Sequence, residues 1–198
     1  MRVRLVLVAL ALPLLAGCGS AGTTTRLPTA CPTPGLLAEG ADLTRHRPGP
    51  VQDLTTLEFD AKLTGLSGAC AAGRDDRSIE MQLTTGFSVE RGAASDGRSV
   101  DLPWFVAVLD RRSDQILSRQ IFVERAGFAR NETRTAITSA PVTLSLPVGE
   151  NRRAADYRIL VSFMLSEEDL ALNRRRGPVS AGTANSRRRG LRGGLAKG

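Results

Sequence analysis

From Leu57 onward the chain alternates. Leu57, Phe59, Ala61 and Leu63 are separated by Glu58, Asp60, Lys62 and Thr64, a period of two that predicts a half-buried strand. That strand is expected to stop at Gly65, with Gly68-Ala69-Cys70 forming the next turn. The pattern is clearest from Ile79 to Val89, where Ile79, Met81, Leu83, Thr85, Phe87 and Val89 alternate with polar residues and Gly86 marks a candidate bulge. Leu102 to Leu109 is continuously apolar, as expected of a central strand or one covered on both faces. Asp110 to Asp114 reads as a hairpin loop leading into a strand over Ile116–Glu124. Thr135–Leu146 predicts one further strand, with Val142, Leu144 and Leu146 in register, and Tyr157, Ile159, Val161, Phe163 and Leu165 predict the last.

Six such strands at regular spacing, with turn residues between them and no long helix, predict an all-β fold. The expectation is an antiparallel Ig-like β-sandwich of about six to seven strands. Tyr157 at the head of the last strand fits two readings: a tyrosine corner, whose hydroxyl bonds backbone upstream, or an ordinary half-exposed strand end. Ser166-Glu167-Glu168-Asp169 has the form of a capping box, opening a short helix through Leu170 and Leu172.

The pattern fails in three places. Residues 19–35 are small, Thr-rich and Pro-rich, and read as a tether. Arg45-His46-Arg47-Pro48-Gly49-Pro50 is turn-rich, and its prolines forbid regular helix. Beyond Asn173, Gly, Ser, Arg and Pro dominate, which predicts a disordered basic tail over 174–198. The domain itself is expected to span 36–173.

At the other end, Arg2 and Arg4 precede an uncharged apolar run from Leu5 to Leu15, the order of a secretory signal over residues 1–17. The run is short of the roughly 20 residues that a transmembrane helix needs. Leu15-Ala16-Gly17-Cys18 resembles the bacterial lipobox. That resemblance implies that Cys18 is acylated, becomes the N-terminus after cleavage, and anchors a chain facing an oxidising compartment. A tether over 18–35 would then join membrane to domain.

Composition changes this picture twice. The formal charge of +7 is uneven: residues 19–173 hold seventeen basic and twenty acidic side chains, whereas 174–198 hold eight basic and no acidic ones. The domain is mildly acidic, so the high pI is no argument for nucleic acid, and no nucleic-acid partner is expected. Contact with an anionic surface is the expected role of Arg174, Arg175, Arg176, Arg187, Arg188 and Arg189, which suit anionic lipid or another acidic surface; the alternative is an unselected solubilising extension. Second, an odd count of three cysteines needs explaining in an exported chain. Lipidation of Cys18 leaves Cys31 and Cys70 as an even pair. A bridge closing a loop of about 40 residues would contribute roughly 4 kcal/mol in the chain-entropy picture; the alternative is two buried free thiols.

Candidate chemistry is sparse. His46 is the single histidine, and Lys62 and Lys197 are the only lysines, so no histidine pair is available for acid–base work or a multi-histidine metal site. No Gly-x-Ser-x-Gly elbow is present. Asp75-Asp76 and Glu167-Glu168-Asp169 read as solvated turn and helix-start carboxylates. No catalytic residue, cofactor or metal is expected, and an enzyme is disfavoured. Arg45, His46 and Arg47 form the candidate partner surface, with bracing of the domain's entrance the competing account.

The chain resembles a family of uncharacterised proteobacterial envelope lipoproteins with a cysteine-anchored tether and one β-rich domain. The residues that carry this are Cys31-Pro32, Ala41-Asp42-Leu43-Thr44-Arg45 with Pro48-Gly49-Pro50, Asp53-Leu54-Thr55, Gly65 to Cys70, Phe105 to Asp110, Ala155-Asp156-Tyr157 and Leu170 to Asn173. The resemblance covers about residues 31–173 and implies compartment and architecture but no activity. It also implies, through Gly19 after the anchor, sorting to the outer membrane. The expected function is a membrane-anchored, non-catalytic binding or assembly module for an envelope protein partner. The alternative is a periplasmic carrier of a small or lipidic ligand held in an apolar pocket between sheets.

Overall fold

The computed structural model describes residues 30–73 and 77–177. They form a two-sheet β-sandwich closed by a short C-terminal helix. In chain order the strands are β1 (Pro34–Leu36), β2 (Asp42–His46), β3 (Leu57–Ala72), β4 (Ser78–Arg91), β5 (Ser99–Asp110), β6 (Ile116–Gly127), β7 (Arg134–Thr138), β8 (Val142–Pro147) and β9 (Tyr157–Phe163), followed by helix α1 (Glu167–Arg176). One sheet runs β1-β9-β5-β6; the other runs β2-β3-β4, with β7 and β8 both pairing with β4. Every pairing is antiparallel except β1 on β9. Among the described residues, no helix is long and apolar enough to cross a membrane.

The alternating residues of the sequence are the inward ones. Ile79, Met81, Leu83, Phe87 and Val89 of β4 pack against Trp104 and Val106 of β5 and Ile159, Val161 and Phe163 of β9 in one buried cluster. Trp104 is fully buried, with its ring centroid 5.6 Å from Phe87 and 4.9 Å from Phe122. β5 is continuously apolar from Leu102 to Leu109, where it is central, with β9 on one side and β6 on the other. Tyr157 takes the corner reading: it is buried and its hydroxyl donates to the Pro147 carbonyl at the end of β8, fixing the crossing from one sheet to the other. Cys31 and Cys70 are bridged, with Cα atoms 5.6 Å apart, which ties the residue ahead of β1 to the far half of β3.

Several boundaries differ from those expected, each for a tertiary reason. The described residues form nine strands, not six or seven. β3 runs through Gly65 and the supposed turn at Gly68-Ala69-Cys70 to Ala72, since β4 supplies hydrogen-bond partners along that whole length. The bulge falls in β3, where Thr64 is the extra residue and Gly86 lies opposite. A Cβ on Gly86 would sit 2.7 Å from Thr64 Oγ1, so the glycine makes room for the bulge instead of forming it. The single strand expected over Thr135–Leu146 is two, interrupted at Ser139-Ala140-Pro141. Pro34 and Gly35, assigned to the tether by composition, belong with Leu36 to β1, because β9 offers this segment a parallel edge. Arg45 and His46, read as turn, belong to β2. Arg174, Arg175 and Arg176, placed in the disordered tail, are the last turn of α1, where cations suit the negative end of the helix dipole.

Candidate functional site

The residues singled out from the sequence meet on one face. β2 is the outer strand of its sheet, and α1 lies along it. This brings Arg45, His46 and Arg47 next to Arg174, Arg175 and Arg176, about 130 positions away in the chain.

Local chemistry sets the helix. Ser166 caps it: the hydroxyl accepts from Asp169 N–H at 3.1 Å, while Asp169 Oδ2 accepts from Ser166 N–H at 2.9 Å and from its hydroxyl at 2.7 Å. The box expected from the sequence is formed. Asp169 also pairs with the Arg45 guanidinium, so the carboxylate that starts the helix also binds it to β2. Burial pushes the Asp169 carboxyl upward, but its hydrogen bonds to Arg45 and Ser166 outweigh this and hold it below the ordinary value.

One turn later, buried Asn173 donates from Nδ2 to the carbonyls of Glu39 and Asp42, each at 2.8 Å. These satisfy backbone acceptors in a segment that has no sheet neighbour on that side. Arg174 reaches Glu39 Oε2 at 3.0 Å. Arg176 donates to Thr44 Oγ1 at 2.9 Å, and Thr44 in turn donates to Asp60 Oδ1 at 2.7 Å. Gly40, just ahead of β2, sits so close to β9 that a Cβ there would meet Ser162 Oγ at 1.9 Å. Glycine at this position is a packing requirement.

Two grooves flank the contact. The first, of about 460 Å³, lies between the end of α1 and the paired strands β2 and β3, lined by Asp42, Asp60, Lys62 and Arg176 among others. Burial raises the Asp42 carboxyl above its ordinary value, with Lys62 opposing and Asp60 adding to the effect. The second, of about 670 Å³, lies on the other side of α1 and is lined by Arg45, His46, Arg47, Gln52, Glu168 and Arg175. Its floor is held from below. Arg47 is fixed by the Ala94 carbonyl at 2.9 Å and Asp96 at 3.0 Å, and His46 Nδ1 lies 3.2 Å from Thr56 Oγ1. The loop between β2 and β3 is itself pinned by Asp53, which accepts from Thr55 N–H and from the Thr55 hydroxyl; these bonds lower its carboxyl pKa.

This arrangement can bind charge of either sign. Arg175 and Glu168 stand exposed on α1 at the second groove, while most other charges on the face are engaged within the fold. The sequence flagged the arginines, and Asp42 as the start of the segment Asp42–Pro50, but gave no site role to Asn173, Asp60 or Lys62. Asn173 carries no local signal, because its role exists only once α1 lies on the Glu39–Asp42 backbone. Cys18, Asp75-Asp76 and Arg187 to Arg189 lie outside the described residues. No protein-family model, curated protein or solved structure matches the chain.

Proposed function

We propose that the protein is a lipid-anchored envelope module, held through Cys18, which binds a protein partner without catalysis at the groove between β2 and α1. The observation that carries this reading is the groove itself. Its wall and floor come from two distant segments, both fixed by buried or paired side chains, and it presents Arg175 and Glu168 outward. A rigid surface offering both charges suits the polar surface of another protein, where complementary charges set partner choice more than raw affinity. The space between the sheets is filled by Trp104, Phe87, Phe163, Met81 and their neighbours, which disfavours a ligand carried between them.

The test is site-specific photocrosslinking in intact envelopes. A photoreactive residue at Gln52, exposed on the groove, is expected to yield one discrete adduct, and the same residue at Thr143, exposed on β8, none. The Gln52 adduct should be lost on Arg175→Glu with the circular dichroism spectrum unchanged. Equal adducts from both positions, or none from either, would remove the groove as the binding surface. Loss of membrane association on Cys18→Ser tests the anchor separately.

A further inference from the structure

The sheet edges are finished in different ways. β1 is three residues long and opens on Pro34, β2 lies under α1, and the edge shared by β7 and β8 is broken at Ser139-Ala140-Pro141. Short strands, prolines and covering helices are how β proteins blunt an edge. β6 has no such cover: it runs from Ile116 to Gly127, and among the described residues nothing pairs with its outer side.

The direction of its backbone groups follows from the ladder. Phe128 N–H donates to the Arg98 carbonyl at 2.8 Å, in the register that sets Trp104 opposite Phe122. Antiparallel pairs alternate between bonded and non-bonded. The even-numbered residues Ser118 to Ala126 therefore bond to β5, and Arg119, Ile121, Val123 and Arg125 turn N–H and C=O to the open side. Pro103, opposite Val123, agrees: its carbonyl accepts from Met164 N–H beyond β9, not from β6. The same four outward residues carry their side chains on the outer face, where Ile121 is 57% and Val123 62% exposed.

Arginines often guard an open edge, but these two lean back from it. The Arg119 guanidinium lies 4.1 Å from the Phe105 ring centroid, and Arg125 grips Asp101 at 2.7 and 3.0 Å. Phe105 and Asp101 are both on β5, so both cations are drawn inward across the sheet and leave the edge clear.

We infer that β6 pairs with β6 of a second copy, antiparallel about a two-fold axis at Ile121, which joins two four-stranded sheets into one. Avoiding directly opposed like charges and matching apolar residues together select this register. An axis at Arg119 sets two guanidiniums directly opposite, and one at Phe122 sets Arg119 against Arg125; like charges in opposition destabilise a sheet. An axis at Gln120 sets Ile121 against Arg119 and Phe122 against Ser118, and one at Val123 sets Ile121 against Arg125 and Phe122 against Glu124. At Ile121 the isoleucines stack on each other, Arg119 faces Val123, and Arg119 lies one diagonal from Arg125 of the other copy, each guanidinium being held on its own β5. Ser118 faces Glu124 within hydrogen-bonding reach. The paired stretch Ser118–Glu124 also stays clear of the bulge at Leu117, the extra residue between the partners of Leu109 and Val108. An isologous contact of this kind closes as a dimer. It is independent of the groove at β2 and α1.

The experiment uses the full chain in detergent micelles. Residues at the axis face each other with Cα atoms about 5.5 Å apart, within disulfide range. Ile121→Cys is therefore expected to give a covalent dimer on mild oxidation, whereas the wild type, with its own cysteines, and Thr143→Cys give none. Sedimentation equilibrium should return a dimer for the wild type and a monomer for Ile121→Lys with an unchanged circular dichroism spectrum. Three results would each overturn the inference: a wild-type monomer at every concentration, a dimer that survives Ile121→Lys, or crosslinking from Thr143→Cys equal to that from Ile121→Cys.

Discussion

Two edges of this sandwich are treated in opposite ways. At β2 the exposed side is covered by α1, and each contact is specific: Asn173 on two carbonyls, Arg45 on Asp169, Arg176 on Thr44. At β6 the edge has no partner among the described residues, and the nearby cations are drawn back onto β5. The difference teaches that exposure alone does not mark function. β2 has only five residues and would be a poor template, yet it carries most of the polar investment; β6 has twelve and carries apolar side chains. A covered edge is tied to stability, whereas an open one is available to another strand.

The comparison is broken most forcefully at Asn173. Asn173→Ala removes both bonds that a buried side chain makes to the Glu39 and Asp42 carbonyls, and a hydrogen bond contributes about 0.5–1.5 kcal/mol net. A loss of about 1–3 kcal/mol in urea unfolding is expected, with early proteolysis confined to the α1 segment. No change in stability would mean that α1 is not what finishes the β2 edge.

Ser166→Ala strikes the same helix more lightly. Loss of an N-cap costs about 1 kcal/mol, and here it also removes one of the bonds that orient Asp169 toward Arg45. Denaturation midpoints should fall accordingly, with the slope unchanged.

The pH dependence sharpens the contrast. Asp169 has a folded pKa below its ordinary value of 3.8, so it binds its proton less readily in the folded chain than in the unfolded one. Its contribution is complete above the ordinary value and is lost as pH falls through the lower, folded one. Asp42 behaves in the opposite sense: raised by burial, it disfavours the fold when ionised, and that penalty lifts as acid protonates it. Acid should therefore loosen the Asp169–Arg45 contact only below pH 3.8, after Asp42, whose carboxyl is raised above that value, has begun to be neutralised. In Asp169→Asn the part of the acid-induced loss that lies below 3.8 should shrink. Following α1 protection by hydrogen exchange across that range checks the order.

The smallest effect is expected at the open edge. Ile121→Lys replaces a side chain that is 57% exposed, and surface changes of this kind usually stay within about 0.5 kcal/mol. Its thermal midpoint, measured dilute enough for the chain to be monomeric, should match the wild type, while its behaviour at high concentration should not.

How far the sequence reached depends on the range of the interaction. The strands β4, β5 and β9 are legible because period-two burial is written residue by residue, and β5 betrays its central place by being apolar on both faces. The Ser166 cap is equally local. Tyr157 could be located but not resolved, since the choice between corner and strand end depends on a carbonyl ten residues upstream. β1 and β2 were not legible: each is short, and each is a strand only because β9 or β3 offers it an edge. The break at Pro141 and the continuation of β3 beyond Gly65 follow from what β4 pairs with, which no local pattern records.

The sequence by itself determined the all-β class, the apolar positions of the core and the helix start, and it named Cys31 and Cys70 as the candidate pair that the structure bridges. Those depend on periodicity, capping chemistry and cysteine parity, all local or compositional. Only the tertiary structure decided that β2 lies beneath α1, that Arg174 to Arg176 close a helix, and that β6 remains open with its cations turned away. Each of these depends on which backbone groups find partners across the sheet and which charges find counterparts more than a hundred residues distant. That matching is a property of the folded geometry, because a donor and an acceptor far apart in the chain meet only after the sheets have packed.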